Sequence, residues 1–237
     1  MIRTVFVATS LVLAVIFLLP LLVLWSLIAG NPDLMYGLAM KLVRLETRLL
    51  GIRVRVEGVD KVPSGPCIFV ANHASSIDPM AFIPAIPRRV GILAKQELFR
   101  IPIFGTAMRV AEFVPVDRGN KESASAAASL AVQRLKKGLS FVIFSEGTRS
   151  PDGRMRPFKR GAFTLAIEAG IPVVPVSIVG AHRLMKKGEK IVRRGSVTIR
   201  FAEPIDASAF TFEQRDELLA RVQNAVAAGL QPDQQPL

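Results

Sequence analysis

Cysteine, histidine, tryptophan and tyrosine are almost missing from this chain of 237 residues, which has one Cys, two His, one Trp and one Tyr. A lone Cys67 can neither close an intramolecular disulfide nor build a cysteine-based zinc site, and it reads as a small buried side chain. His73 and His182 stand far apart, so no metal is expected. With one Tyr, one Trp and no reader motif, nucleic acid is not an expected partner. No G-x-x-x-x-G-K-S/T, G-x-G-x-x-G or G-x-S-x-G occurs, which leaves nucleotide cradles and the hydrolase nucleophile elbow unsupported.

Acids are also scarce: 19 Asp and Glu against 31 Lys and Arg give a formal net charge of +12. Such a balance points to an anionic partner and by itself permits nucleic acid, but with no reader motif present the expected ones are phospholipid headgroups or a phosphorylated substrate. From Gly147 to Arg200 twelve cations face three acids, Asp152, Glu168 and Glu189. Val, Ile and Phe are abundant there, so the stretch is a folded surface of one sign, not a disordered tail.

Thr4 to Ala29 contains no charge at all. As a helix it would extend roughly 39 Å, more than the roughly 30 Å hydrocarbon core of a bilayer requires. Leu27 and Ile28 occupy positions where a cleavage site needs small residues, so the segment is expected to stay attached. Pro20 can kink it, and Trp25 suits an interfacial level. After the break at Gly30-Asn31-Pro32-Asp33, Leu34, Leu38, Leu42, Leu45 and Leu49 recur at helical spacing, with Lys41, Arg44 and Arg48 opposite. That amphipathic helix lies either on an anionic membrane or against the globular domain. Residues 1–50 are therefore expected to anchor the chain, spanning once or embedded as a bent hairpin.

From Gly51 short strand-like runs alternate with helices, and the apolar strands are nearly continuous. The pattern predicts an α/β fold over 51–229, a mixed, mainly parallel sheet flanked by helices, with 230–237 as a flexible tail. Strands are predicted around 53–56, 67–70, 90–94, 112–116, 140–144, 172–179 and 195–201. Helices are predicted from Asp78, over 121–137, 161–169 and 213–228.

The polar chemistry gathers after strands. His73 follows an apolar run and precedes Asp78 by five positions. On one regular helix the two would face apart, so they meet only if His73 lies in a loop and Asp78 in the first turn of the next helix. A carboxylate so placed would orient an imidazole that takes a hydroxyl proton. The same residues, Ser75 and Asp78 before Pro79, also form a helix-capping pattern. Lys95, Asp117-Arg118 and the run Glu146-Gly147-Thr148-Arg149 follow other predicted strands. In open α/β sheets ligands bind beyond the carboxyl ends of the strands, so these runs point to one shared pocket. There Arg118 and Arg149 could fork a phosphate, and Gly147 lets backbone approach an anion.

Four blocks in order resemble the glycerolipid acyltransferases, particularly the 1-acyl-glycerol-3-phosphate acyltransferases. Asn72-His73-Ala74-Ser75-Ser76-Ile77-Asp78 matches the family's N-H-x4-D, and Phe113-Val114-Pro115-Val116-Asp117-Arg118 its F-x-x-x-D-R. Phe144-Ser145-Glu146-Gly147-Thr148-Arg149-Ser150 matches F-P-E-G-T-R-S with Ser145 in place of Pro, and Val173-Val174-Pro175-Val176 matches the fourth block. The resemblance covers about residues 50–205. It implies that His73 is the general base and Asp78 its orienting acid. It implies that Arg118, Glu146 and Arg149 position the acceptor, with Gly147, Thr148 and Lys95 as further substrate contacts. The implied reaction transfers a fatty acyl group from acyl-CoA or acyl carrier protein to the sn-2 hydroxyl of lysophosphatidic acid, making phosphatidic acid. No cofactor beyond that co-substrate is implied. Another acceptor (glycerol-3-phosphate or a lyso-aminolipid), or a non-enzymatic basic module that binds membrane phospholipids, is the alternative. The positive-inside bias places the domain on the cytoplasmic side of an inner membrane.

Overall fold

The computed structural model describes residues 2–117 and 119–236. Helix α1 (Ile2–Leu13), a π-helical turn (Ala14–Leu18) and α2 (Leu19–Ala29) form one apolar rod. Pro20 has no N–H to donate, and the ladder widens to π geometry in the turn preceding it. Gly30, at φ 64°, adopts the left-handed conformation that closes the rod. By length and composition this helix, Ile2–Ala29, could cross a membrane, and most of it is uncovered: Phe17, Leu21 and Ile28 are 67%, 65% and 79% exposed.

Helix α3 (Asp33–Leu49) runs back antiparallel along the rod. Ser10 Oγ donates to Glu46 Oε1 (2.7 Å) and the Arg3 guanidinium donates to the carbonyl of Leu50 (3.0 Å). Its buried face is Met35, Tyr36, Glu46 and Thr47, while Leu34, Leu45 and Leu49 of the periodic leucine stripe point outward. Of the two expected placements, packing against the domain is observed on one face, while Leu38 and Leu42 of the stripe face the rod and Leu34, Leu45 and Leu49 stay exposed. Val192 N also donates to Thr4 Oγ1 (3.3 Å), so the start of the rod touches the same α/β body from which α3 departs.

That body is a seven-stranded sheet in the order β1-β7-β6-β2-β5-β3-β4. The strands are β1 (Ile52–Glu57), β2 (Ile68–Ala71), β3 (Val90–Lys95), β4 (Val114–Val116), β5 (Ser140–Phe144), β6 (Val173–Val179) and β7 (Gly195–Phe201). All pairings are parallel except β6 with β7, as the unbroken apolar runs lead one to expect. The central strands β2 and β6 are buried at every position. The intervening helices are α4 (Asp78–Phe82), α5 (Phe104–Val110), α6 (Lys121–Lys136), α7 (Gly161–Ala169), α8 (Ala181–Leu184) and α9 (Arg215–Ala228). The Asn120 side chain caps α6 by accepting from Ser123 N (2.9 Å). Apolar side chains fill the space on both sheet faces, one cluster carrying Phe69 and Phe201 and the other Phe141, Phe163 and Leu218.

Three local expectations change. The run predicted as a strand from Glu112 begins at Val114, because Glu112 sits at φ 62° in the turn that ends α5. The one-turn helix α8 is too short to leave a periodic signal. The segment after α9 is docked, not loose. Leu230 and Gln234 are buried, Gln234 O accepts from Met155 N (2.8 Å), and Asp233 pairs with Arg183 (2.7 Å). The physical reason is local demand: Gly180 N–H needs an acceptor, and Gln234 Oε1 supplies it at 3.1 Å.

Candidate active site

Asn72 ends β2 with its side chain clamped on the next strand, donating to Ile178 O (3.1 Å) and accepting from Ile178 N (2.7 Å). The chain therefore leaves the sheet at a defined point, and His73 lies in the loop that follows. Its main chain is held from both sides by one other loop. Glu146 Oε1 accepts from His73 N (2.7 Å), and Ser150 N donates to His73 O (2.8 Å). The ring stacks on Phe144, the last residue of β5, with centroids 4.3 Å apart.

Asp78 opens α4, as the loop-then-helix condition requires. Its Oδ2 lies 2.8 Å from His73 Nδ1 and also accepts from Ala74 N (2.7 Å) and Ser75 N (2.8 Å). The catalytic and capping readings of these residues are therefore geometrically compatible, since one oxygen faces the ring and accepts from the loop amides. A carboxylate facing Nδ1 places the ring proton there and leaves Nε2 as the nitrogen able to take another. Asp78 is 1% exposed, whereas the His73 side chain keeps 17% of its surface open. Helix α4 is fixed from beneath by Phe82, whose ring meets those of Phe69, Phe144 and Phe201 at 6.0–6.4 Å.

Glu146 is buried, and that burial raises its carboxyl from 4.5 to about 7. The backbone N–H groups of His73 and Arg156 pull it down by less, and the Asp78 charge adds to the rise. Gly147 takes φ 74°, and a Cβ there would strike the Lys159 side chain at 2.8 Å. Lys159 thus lies over the Gly147 backbone, a cation that sequence reasoning saw only as part of a basic region. Arg149 reaches across to donate to Ser76 Oγ in the His73 loop. Thr148 is exposed on the same turn.

The structure therefore brings together His73, Asp78, Glu146, Gly147 and Arg149, with Thr148 beside them. Lys95 ends β3, the strand beside β5, where its side chain is exposed to solvent and pairs with Glu97 at 3.0 Å. Arg118 lies outside the described residues. Phe144 and Ser150 were legible only as the first and last letters of one motif; that Phe144 stacks on the ring was not, because stacking depends on strand order. Val174 and Val176, from the fourth motif block, are core residues.

Beside the histidine, Phe144 forms part of the wall of a cavity of about 300 Å³ between the ends of β3 and β5 and helices α6 and α7. Leu93, Ala124, Ala128, Ile143 and Leu165 make it apolar, while Lys159 and Gly147 stand at its polar end. A proton acceptor, a cationic rim and an apolar slot thus adjoin one another.

Residues 53–179 match the family model Acyltransferase. The chain is 34% identical to the 1-acyl-sn-glycerol-3-phosphate acyltransferase BAT2, chloroplastic, of Brassica napus, over 74% of this chain and 50% of that protein. It is 31% identical to the 1-acyl-sn-glycerol-3-phosphate acyltransferase of Limnanthes douglasii, over 80% and 67% of the respective chains. With the human 1-acyl-sn-glycerol-3-phosphate acyltransferase alpha the identity is 33% over 79% and 68%. The chain thus spans about half the length of the Brassica protein and about two thirds of the other two. The crystal structure of the 1-acyl-sn-glycerophosphate (LPA) acyltransferase PlsC from Thermotoga maritima superimposes with a TM-score of 0.80. There the identity is 29%, and 96% of this chain and 93% of that chain are covered.

Proposed function

Because the chain belongs to the acyltransferase family that includes the 1-acyl-sn-glycerol-3-phosphate acyltransferases, we propose that it acylates the sn-2 hydroxyl of lysophosphatidic acid to make phosphatidic acid. The 2.8 Å pairing of His73 Nδ1 with Asp78 beside an apolar slot carries this reading. His73 Nε2 takes the acceptor hydroxyl proton as that oxygen attacks the thioester carbonyl. The resulting imidazolium is stabilised by Asp78. When the carbon–sulfur bond breaks, the departing thiolate takes the proton back from Nε2, so the histidine is restored and no acyl-enzyme forms. The donor is acyl-CoA or acyl carrier protein, entering as a co-substrate with its tail in the slot lined by Ala124 and Ala128. Arg149 and Lys159 attract the acceptor phosphate, with Arg118 from the matching motif as a third cation. Glu146 positions the His73 loop.

The membrane is where both lipids reside, and the apolar rod with the outward leucines of α3 is the surface that meets it. Arg3 bonds to Leu50 and Thr4 to Val192, while α2 returns directly into α3, so both ends of the rod lie against one body. That supports embedding in a single leaflet over crossing it, and the leaflet we propose is the cytoplasmic one of an inner membrane, from the positive-inside bias.

The test is acyl transfer to lysophosphatidic acid, glycerol-3-phosphate and a phosphate-free monoacylglycerol, with each donor. Lysophosphatidic acid is expected to be preferred, and His73→Ala to lower turnover at least about 10²-fold with vesicle binding intact. A His73→Ala protein within tenfold of the native rate would refute the mechanism.

A further inference from the structure

A cavity of about 640 Å³ opens at the amino ends of β3 and β5, the opposite end of the parallel strands from His73. Six cations line it: Lys41 and Arg44 from α3, Arg88 and Arg89 before β3, and Arg134 and Lys137 at the end of α6. Only two acids, Asp33 and Glu112, share the wall, and both bind Arg89. Among the described residues, none of the other five cations has an ion-pair partner. Three are instead fixed by main-chain oxygens: Arg44 by Pro84, Arg88 by Pro63, Ser64 and Gly65, and Arg134 by Glu112. Those carbonyls hold the guanidinium groups in place without cancelling their charge. Like charges kept together in a concave, partly buried space repel one another and focus a positive field, which an anion would relieve.

The position of the cavity says which anion. Its α3 wall is the helix whose Leu34, Leu45 and Leu49 point outward beside the exposed apolar rod. Tyr36, Met40 and Leu139 add an apolar lining. A phosphate held by Lys41 and Lys137 would leave attached acyl chains next to those leucines. We propose that this cavity binds the phosphate of an anionic phospholipid headgroup, at a site separate from the catalytic one. The proposal does not depend on the reaction assigned above.

The test uses the full chain in neutral detergent, titrated calorimetrically with dihexanoyl phosphatidylglycerol. Dihexanoyl phosphatidylcholine and glycerol-3-phosphate form the parallel arms. Saturable binding is expected with phosphatidylglycerol and not with phosphatidylcholine. Lys41→Glu/Lys137→Glu is expected to weaken it at least about 10-fold. The charge-matched control, Lys186→Glu/Lys187→Glu, should stay within threefold of native, and acyl transfer in detergent should persist in both. If the reversal lowers the melting temperature, Lys41→Ala/Lys137→Ala replaces it with the same expected direction. Equal weakening by both charge variants would reduce the effect to bulk electrostatics and overturn the site. Glycerol-3-phosphate binding as tightly as the lipid would overturn the lipid and leave a soluble phosphate as the ligand.

Discussion

Where the parallel strands end, each charge nearest His73 is committed to a named neighbour: Asp78 to the ring and two amides, Glu146 to the His73 amide, Arg149 to Ser76. Where they begin, cations outnumber acids and rest on carbonyl oxygens. The first arrangement holds each buried carboxylate through one bonded oxygen, which offsets part of the cost of burying its charge. The second keeps like charges in a concave, partly buried space, where they are screened only in part and draw an anion. Preorganisation and attraction are thus divided between the two ends of one sheet.

The sharpest way to break this contrast is Asp78→Asn. It keeps the shape but removes the charge that orients His73, and turnover is expected to fall about 10³- to 10⁴-fold. Steady-state rates on a variant shown to be folded by circular dichroism would measure it. A loss under tenfold would mean that the site is not preorganised by that pair.

Glu146→Gln tests the burial of charge directly. In the folded protein the carboxyl holds its proton up to about 7, against 4.5 when unfolded. Between those values unfolding releases a proton, so the native protein loses stability as pH rises from 4.5 to 7, by about 3 kcal/mol in all. Below the window the effect is absent, and above it the loss is complete. Glutamine keeps an oxygen for the His73 amide, so urea unfolding of Glu146→Gln should show a flatter pH profile and greater stability at pH 8 than native. An unchanged profile would place the titration elsewhere.

The smallest effect is expected for Lys95→Ala, whose exposed pair with Glu97 contributes at most about 1 kcal/mol. Turnover within twofold of native would place Lys95 outside the site. A large rise in KM for the acceptor would bring it back in.

Much of this was legible along the chain. Val70 to Asp78 announces a strand, a loop and a helix start by residue type alone, because capping chemistry and apolar runs are local properties. The face chosen by α3 was not legible. Its leucines satisfy a helical period equally well whether they meet a core or a bilayer, and only the packing of Met35, Tyr36 and Thr47 decides. The role of Lys95 is not legible for a related reason: every residue at a strand end looks alike in sequence, although different strands reach different parts of the rim.

Local sequence by itself determined most of the elements, the charge balance and the pairing of His73 with Asp78, since each rests on residues within a few positions of one another. The tertiary structure alone decided that Glu146 and Ser150 bracket His73, that Phe144 lies under its ring, and that six cations from three distant segments share a cavity. Those contacts join residues tens of positions apart, and such proximity follows from strand order and side-chain packing, which no short-range pattern encodes.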